Sequence, residues 1–497
     1  MNKVVTFDEF CNNFGFASYP FNSFTAEMEK ERQAELFVPT KLYSPFYEAF
    51  EAGNTIILSG DRGTGKTSII YDFIRRATED SLICQIDDFS DLDKDYSEAD
   101  FYRFITSVFV NSFFENLKDL RVANGNLSEE EKILLTYYYV NFASDATRGL
   151  VKRTASQIQV SSFKRTLGKL YNFIRNPLNI ATNFGVSILA DVVARSAGAS
   201  GISAKVSEYF PEIEAGVETD LPKSEDTLEA LRRFAKIARK AGFKRITLMI
   251  DKVDEDSRLE NAAEEIASFI EPILTNNKFL LDENFQIIIS VWIVPLNFIR
   301  ERVRTQKIYS PEVRWEDDDL MRAFDRRVEV FSNQGAKPFE EVFSEDVCDD
   351  TKNKILALSN RNPRDLWHLM NSILRAQYNI NADAARICDE AVQQGMTKFV
   401  KTFNFYEYYP RKANARANTM DVYSYIRHLL KLDDTVFTRN QLNEKAGTGS
   451  STQNYTVGME NLGLITKDTS EKGELFYTIR DPKVRFAIDN DINIQKE

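Results

Sequence analysis

Histidine is almost missing from this chain: among 497 residues only His368 and His428 carry an imidazole. Histidine-built metal centres and Ser-His-Asp chemistry therefore have little to work with. Cysteine is scarce too, with four residues, Cys11, Cys84, Cys348 and Cys388. They are far apart and form no CxxC pair, which argues against a disulfide framework or a zinc site and for free thiols in a reducing compartment. Long apolar runs are absent. The most lipid-like stretch, residues 178–190, is too short to span a bilayer and carries Asn179, Thr182 and Asn183. Residues 1–10 contain Asp8 and Glu9 without an apolar core and do not read as a signal peptide. The expectation is a cytoplasmic protein that does not meet a membrane. Positive charge is in deficit as well, 63 Lys and Arg against 75 Asp and Glu, for a net charge of -12. Contact with nucleic acid would then need a local basic patch.

What is present is a normal globular composition, 43% hydrophobic and 28% charged, in a chain long enough for two to four domains of roughly 100–200 residues. The sharpest local signal lies near the N-terminus. Residues 54–59, Asn-Thr-Ile-Ile-Leu-Ser, read as a buried strand. They run into Gly60, Asp61, Arg62, Gly63, Thr64, Gly65, Lys66 and Thr67, followed by Ser68 and a helical spacing of Ile69, Ile70 and Phe73. This is GxxxxGK(S/T) between a strand and a helix. Glycines let backbone N–H groups turn toward phosphate oxygens, and the helix N-terminus adds its positive end. Lys66 is expected on the β- and γ-phosphates and Thr67 on Mg²⁺. ATP is the expected nucleotide, because no NKxD-type guanine motif follows.

A second apolar run, residues 82–86, follows at the spacing of a parallel neighbour. A third, residues 246–250, ends in Asp251-Lys252-Val253-Asp254-Glu255. An apolar strand ending in an acid is the Walker B pattern, with Asp251 on the metal side. The helix expected before it, residues 227–241, ends at Gly242. Residues 285–294 form a further strand run containing Ser290, which reads as a plain core residue.

Together these motifs resemble AAA+ ATPases of the origin-recognition-like and STAND/KAP-like groups. The resemblance covers most of the chain, with a gap in the middle. It implies an α/β fold: a P-loop NTPase core with a parallel sheet, a large helical insertion, a helical lid and a C-terminal winged helix. The expected division is an N-terminal segment 1–50, a core 51–90 with 227–335, an insertion 91–226, a lid 336–415 and a winged helix 416–497. Where many such ATPases carry a catalytic Glu, this chain has Lys252, so the resemblance moves the water-activating role to Asp254 or Glu255. It implies an arginine finger at Arg326 or Arg327, just before a last core strand; a surface helix with salt bridges explains the same residues equally. Residues 359–366, Ser-Asn-Arg-Asn-Pro-Arg-Asp-Leu, are similar to the start of a sensor 2 helix. Asn362 would be its N-cap, Pro363 its first residue and Arg364 the group facing the γ-phosphate. Phe37 and Val38 would lie against the adenine.

Residues 146–190 hold no Asp or Glu but carry Arg148, Lys152, Arg153, Lys164, Arg165, Lys169 and Arg175. Such a stretch either binds duplex DNA or an acidic partner, or is a solvated basic face. Residues 420–479 read as helix, strand, helix, turn, helix, hairpin, the order of a winged helix. Its presumed recognition helix offers Ser450, Ser451, Thr452, Gln453 and Asn454, with Arg439, Lys445, Lys467 and Lys472 for phosphates. The expected function is an oligomeric ATP-hydrolysing switch or motor acting with DNA or an effector protein. Proteins of this look occur in bacterial mobile-element and anti-phage defence cassettes. Two alternatives stay open: a nucleotide-gated scaffold with little hydrolysis, which Lys252 favours, and an initiator- or repair-like DNA-binding ATPase.

Overall fold

A computed structural model describes residues 5–116, 131, 138, 141–147, 224–332, 337–411, 420–469 and 473–495. Four parallel strands form the main sheet: β1 (Ile56–Gly60), β2 (Ser81–Ile86), β3 (Arg245–Ile250) and β4 (Gln286–Trp292), in the order β1-β4-β3-β2. The central strands read as continuous apolar runs because both faces are covered. Successive side chains alternate between those faces. Ile56 and Leu58 pack with Ile288 and Met249 beneath the helices Tyr43–Glu51 and Lys66–Arg76. Ile57, Ile287, Ile289 and Leu248 pack on the other side against helices Glu98–Asn116, Ser224–Lys240 and Ala263–Leu274.

Two expectations about the sheet change. The strand at residues 82–86 pairs with β3 and lies at the far edge, with β4 and β3 between it and β1. Its alternating burial suits an edge strand. The last strand-like segment comes earlier than expected. Tyr309 and Pro311 carbonyls accept from the Ile57 and Ser59 amides at 2.9 and 3.0 Å, and the Val313 amide donates back to Ser59 O at 2.8 Å. Residues 309–313 therefore run parallel beside β1. Helix Asp317–Val330, which carries Arg326 and Arg327, follows this segment rather than preceding it.

Beyond it, a second core gathers helices Asp349–Leu358, Pro363–Ile380 and Asp389–Lys401 with N-terminal aromatics Phe10, Phe14 and Phe21. The last two helices pack very closely: a Cβ on Gly395 would sit 2.5 Å from Ile373 Cα. The same core continues into the C-terminal elements, where helices Val422–Leu429, Arg439–Ala446, Thr452–Asn461 and Pro482–Asp489 surround a small antiparallel sheet. That sheet joins β5 (Val436–Phe437), β6 (Ile465–Thr469) and β7 (Leu475–Ile479) in the order β5-β7-β6. The element order expected for residues 420–479 is present. The basic stretch from Arg148 to Arg175, the region 180–202 and Lys472 lie outside the described residues. Among the described residues no helix is long and apolar enough to cross a membrane, and the four cysteines are free.

Candidate functional site

Parallel strands place their C-terminal ends on one edge, and there the loop after β1, the turn after β3, the end of β4 and the start of helix Pro363–Ile380 converge. They line a cleft of about 1230 Å³, its open mouth included.

The loop after β1 needs its glycines. Gly63 and Gly65 have φ of 83° and 85°, the left-handed region where a Cβ is disfavoured. Gly65 caps the N-terminus of helix Lys66–Arg76. Lys66 is buried, and its Nζ donates to Gly60 O at 3.1 Å and to Asp61 O at 2.8 Å. Burial pushes its ammonium below the ordinary lysine value, although Asp254, Asp251 and Asp61 pull the other way. Asp61 is held above the usual carboxylate value by burial, opposed by Lys66. Thr64 O accepts from Trp315 Nε1 at 2.9 Å, and Ser68 O accepts from Gln33 Nε2 at 3.2 Å.

The turn after β3 meets this loop directly. Asp251 is 2% exposed, and its Oδ2 accepts from Thr67 Oγ1 at 2.7 Å. Lys252 adopts φ 60°, unusual for a side chain with a Cβ. Its ammonium pairs with Glu27 at 2.9 Å. Burial works against the Glu27 charge, but hydrogen bonds from Lys252 and Thr25 outweigh it and hold the carboxyl below its usual value. Asp254 accepts from Arg62 Nε at 2.6 Å, and Arg62 also donates to Asp254 O at 2.8 Å. The Arg62 guanidinium lies 4.1 Å from the centre of the Trp292 ring. Glu255 reaches solvent at the rim. The buried part of its surroundings and the Asp254 charge raise its carboxyl above the usual value.

Asn362 caps helix Pro363–Ile380 as expected, its Oδ1 accepting from the Arg364 amide at 3.0 Å, while its Nδ2 donates to Arg62 O at 2.6 Å. Arg364 borders the cleft and pairs with Glu407 at 3.5 Å. Phe37 and Val38 line the cleft as well, with Phe24.

The two arginines of helix Asp317–Val330 part company. Arg327 is 3% exposed and faces inward, donating to Ser23 O at 2.9 Å and to Glu29 at 3.1 Å, with its guanidinium 4.8 Å from the Trp367 ring centre. It anchors the N-terminal segment and borders the same cleft. Arg326 is partly exposed, with Nε on Glu35 O at 2.6 Å and Nη1 on Glu329 at 2.8 Å.

In the C-terminal unit Thr452 is buried against Thr448, leaving Ser450, Ser451, Gln453 and Asn454 exposed. Arg439 donates to Tyr477 OH at 2.8 Å and Lys445 pairs with Asp433 at 2.5 Å, while Lys467 is exposed.

Glu27, Glu29, Trp292 and Trp315 belong to the site but carry no motif. Their partners Lys252, Arg327, Arg62 and Thr64 are hundreds of positions away, so no local pattern marks them. No protein-family model matches this chain, and no curated protein matches it.

Proposed function

We propose that this protein is a P-loop ATPase that binds ATP and Mg²⁺ in the cleft and uses nucleotide turnover as a switch. The observation that carries this reading is the contact of Thr67 with Asp251 at 2.7 Å beside buried Lys66. It joins the hydroxyl of a glycine loop to the acid at the end of β3, a parallel strand of the same sheet separated from β1 by β4. The donor set suits Mg²⁺, which takes one or two protein oxygens plus water and substrate phosphates rather than a full protein cage. Among the described residues no three His, Cys, Asp or Glu side chains gather into such a cage. Thr67 and Asp251 would hold such an ion, which would supply positive charge against the phosphates.

The chain's own groups would divide the work. Backbone N–H groups from Gly60 to Ser68 and the N-terminus of helix Lys66–Arg76 would hold phosphate oxygens. Lys66 would leave its loop carbonyls for the β- and γ-phosphates. Arg364 would add charge from the lid side. Phe37 and Val38 would cover the base. Asp254 or Glu255 would orient a water and take its proton. Arg326, on the surface, remains the candidate for contact with a neighbouring copy. The winged-helix reading of residues 416–497 and the basic residues 146–190 suggest duplex DNA or an effector protein as the partner, in a defence or mobile-element setting.

A second reading, a nucleotide-gated scaffold with little hydrolysis, has its own support. Lys252 pairs with Glu27 where a catalytic acid would stand, and Asp254 is committed to Arg62.

ATP turnover and mass by light scattering, with and without duplex DNA, test both for wild type, Lys66→Ala and Asp254→Ala. The ATPase reading expects turnover that drops at least about a hundredfold in Lys66→Ala. ATP-dependent assembly without turnover selects the scaffold, and no nucleotide binding at all removes both.

A further inference from the structure

Far from the phosphate loop in sequence, one lysine is buried without a role in the chemistry above. Lys483, the second residue of helix Pro482–Asp489, is 0% exposed. Its Nζ lies 2.7 Å from Asp365 Oδ2. The approach is too oblique for a regular hydrogen bond, so charge and surrounding rings hold the ammonium. It stands 4.2 Å from the Phe403 ring centre and 4.8 Å from that of Tyr408. Tyr408 OH donates to the same Asp365 oxygen at 2.9 Å.

This arrangement is costly. Two charges leave water, and Lys483 sits in the first turn of its helix, where the dipole disfavours a cation. An apolar pair of the same volume would hold the two helices together about as well. What the ion pair adds is register, because it accepts only one relative placement of its partners.

Asp365 is the third residue of helix Pro363–Ile380. The residue before it, Arg364, borders the cleft, and Asn362 is bonded to the phosphate loop. On the other side, Asp481 accepts from the Lys483 amide at 2.8 Å and from Tyr409 OH at 2.8 Å. Arg485 Nε donates to Ile479 O at the end of β7. A continuous set of contacts thus runs from the loop Gly60–Thr67 to the C-terminal hairpin.

We propose that Lys483 is a positioning residue. Through Asp365 it fixes the first turn of helix Pro363–Ile380, and with it Arg364, and it makes the C-terminal hairpin respond to what fills the cleft. The proposal rests on the nucleotide reading of the cleft.

Hydrogen exchange of the full chain, with and without ATPγS and Mg²⁺, tests it. In wild type the amides of residues 60–67 and of residues 475–489 should slow together. In Lys483→Met the first set should still slow and the second should not. ATPγS affinity should weaken about tenfold, within the usual range of coupling between sites. Lys483→Met/Asp365→Leu should regain thermal stability, since no buried charge is left alone, yet not regain the spread of protection. A merely structural lysine would let the double variant regain both, which overturns the inference. Wild-type protection confined to the cleft overturns the inference while leaving the nucleotide reading intact, and this holds even if the variants do not fold. No protection anywhere removes the nucleotide reading and the inference together.

Discussion

Arg62 and Asp254 meet at 2.6 Å, Nε to Oδ2, although 192 positions separate them in the chain. One belongs to the loop after β1 and the other to the turn after β3. Arg62 also donates to Asp254 O and stacks on Trp292 at the end of β4. A single side chain therefore ties three strand ends together at the cleft, and it occupies one of the two acids proposed to act on water.

Both side chains are mostly buried, 15% and 13% exposed, so the pair is shielded from salt more than a surface pair would be. Arg62→Met should cost about 2 kcal/mol by leaving Asp254 without its donors. Arg62→Met/Asp254→Asn should cost clearly less than the sum of the two single changes. Urea unfolding of the four proteins measures this. Simple additivity would mean that the pair carries no coupling.

Gly63 offers a sharper steric test. Its φ of 83° already disfavours a side chain, and a Cβ there would sit 2.6 Å from Asn362 Oδ1 and 2.9 Å from Arg364 Cβ. Asn362 is held by its cap bond and by Arg62 O, so it has little freedom to give way. Gly63→Ala should destabilise by more than about 1 kcal/mol from the backbone alone. It should also push helix Pro363–Ile380 off the loop, seen as faster amide exchange in residues 362–366. Gly53→Ala is the control, since it has a φ of 77° but nothing within 4 Å of its Cβ. Equal losses in the two variants would show that the helix contact does not matter.

His368 gives the pH dependence. It stacks on Phe24 with ring centres 3.7 Å apart. Burial lowers its pKa from the ordinary 6.5, Asp365 opposes this and Arg364 adds to it. Folding therefore favours the neutral ring. Its contribution to stability is fully present above the unfolded value and is lost as pH falls through the lower folded value. Relative to His368→Phe, wild type should lose stability as pH falls through and below the ordinary imidazole value of 6.5. Parallel unfolding curves for the two proteins across that range would refute the assignment.

The site was legible where it is written locally. The strand into Gly60–Thr67, the Asp251 strand end and the Asn362-Pro363 helix start each occupy a handful of consecutive residues, and the structure brings them to one cleft. Arg327 was not legible in this way. Its neighbours suggest a charged surface helix, but Glu29, Ser23 and Trp367 close around it. Nor does the run at residues 82–86 reveal its place, since edge and centre differ in which strand lies alongside.

The sequence by itself determined the phosphate-loop pattern, the apolar strands and the helix caps. Each depends on backbone freedom or side-chain period within one turn or one strand. Only the tertiary structure decided that residues 309–313 lie beside β1, that Lys252 takes Glu27, that Arg62 takes Asp254 and that Lys483 reaches Asp365. The reason is that a charge needs a partner when it leaves water, whereas nothing local says which distant one it will meet. That choice is made when the sheet order and the helix packing bring a particular pair within reach.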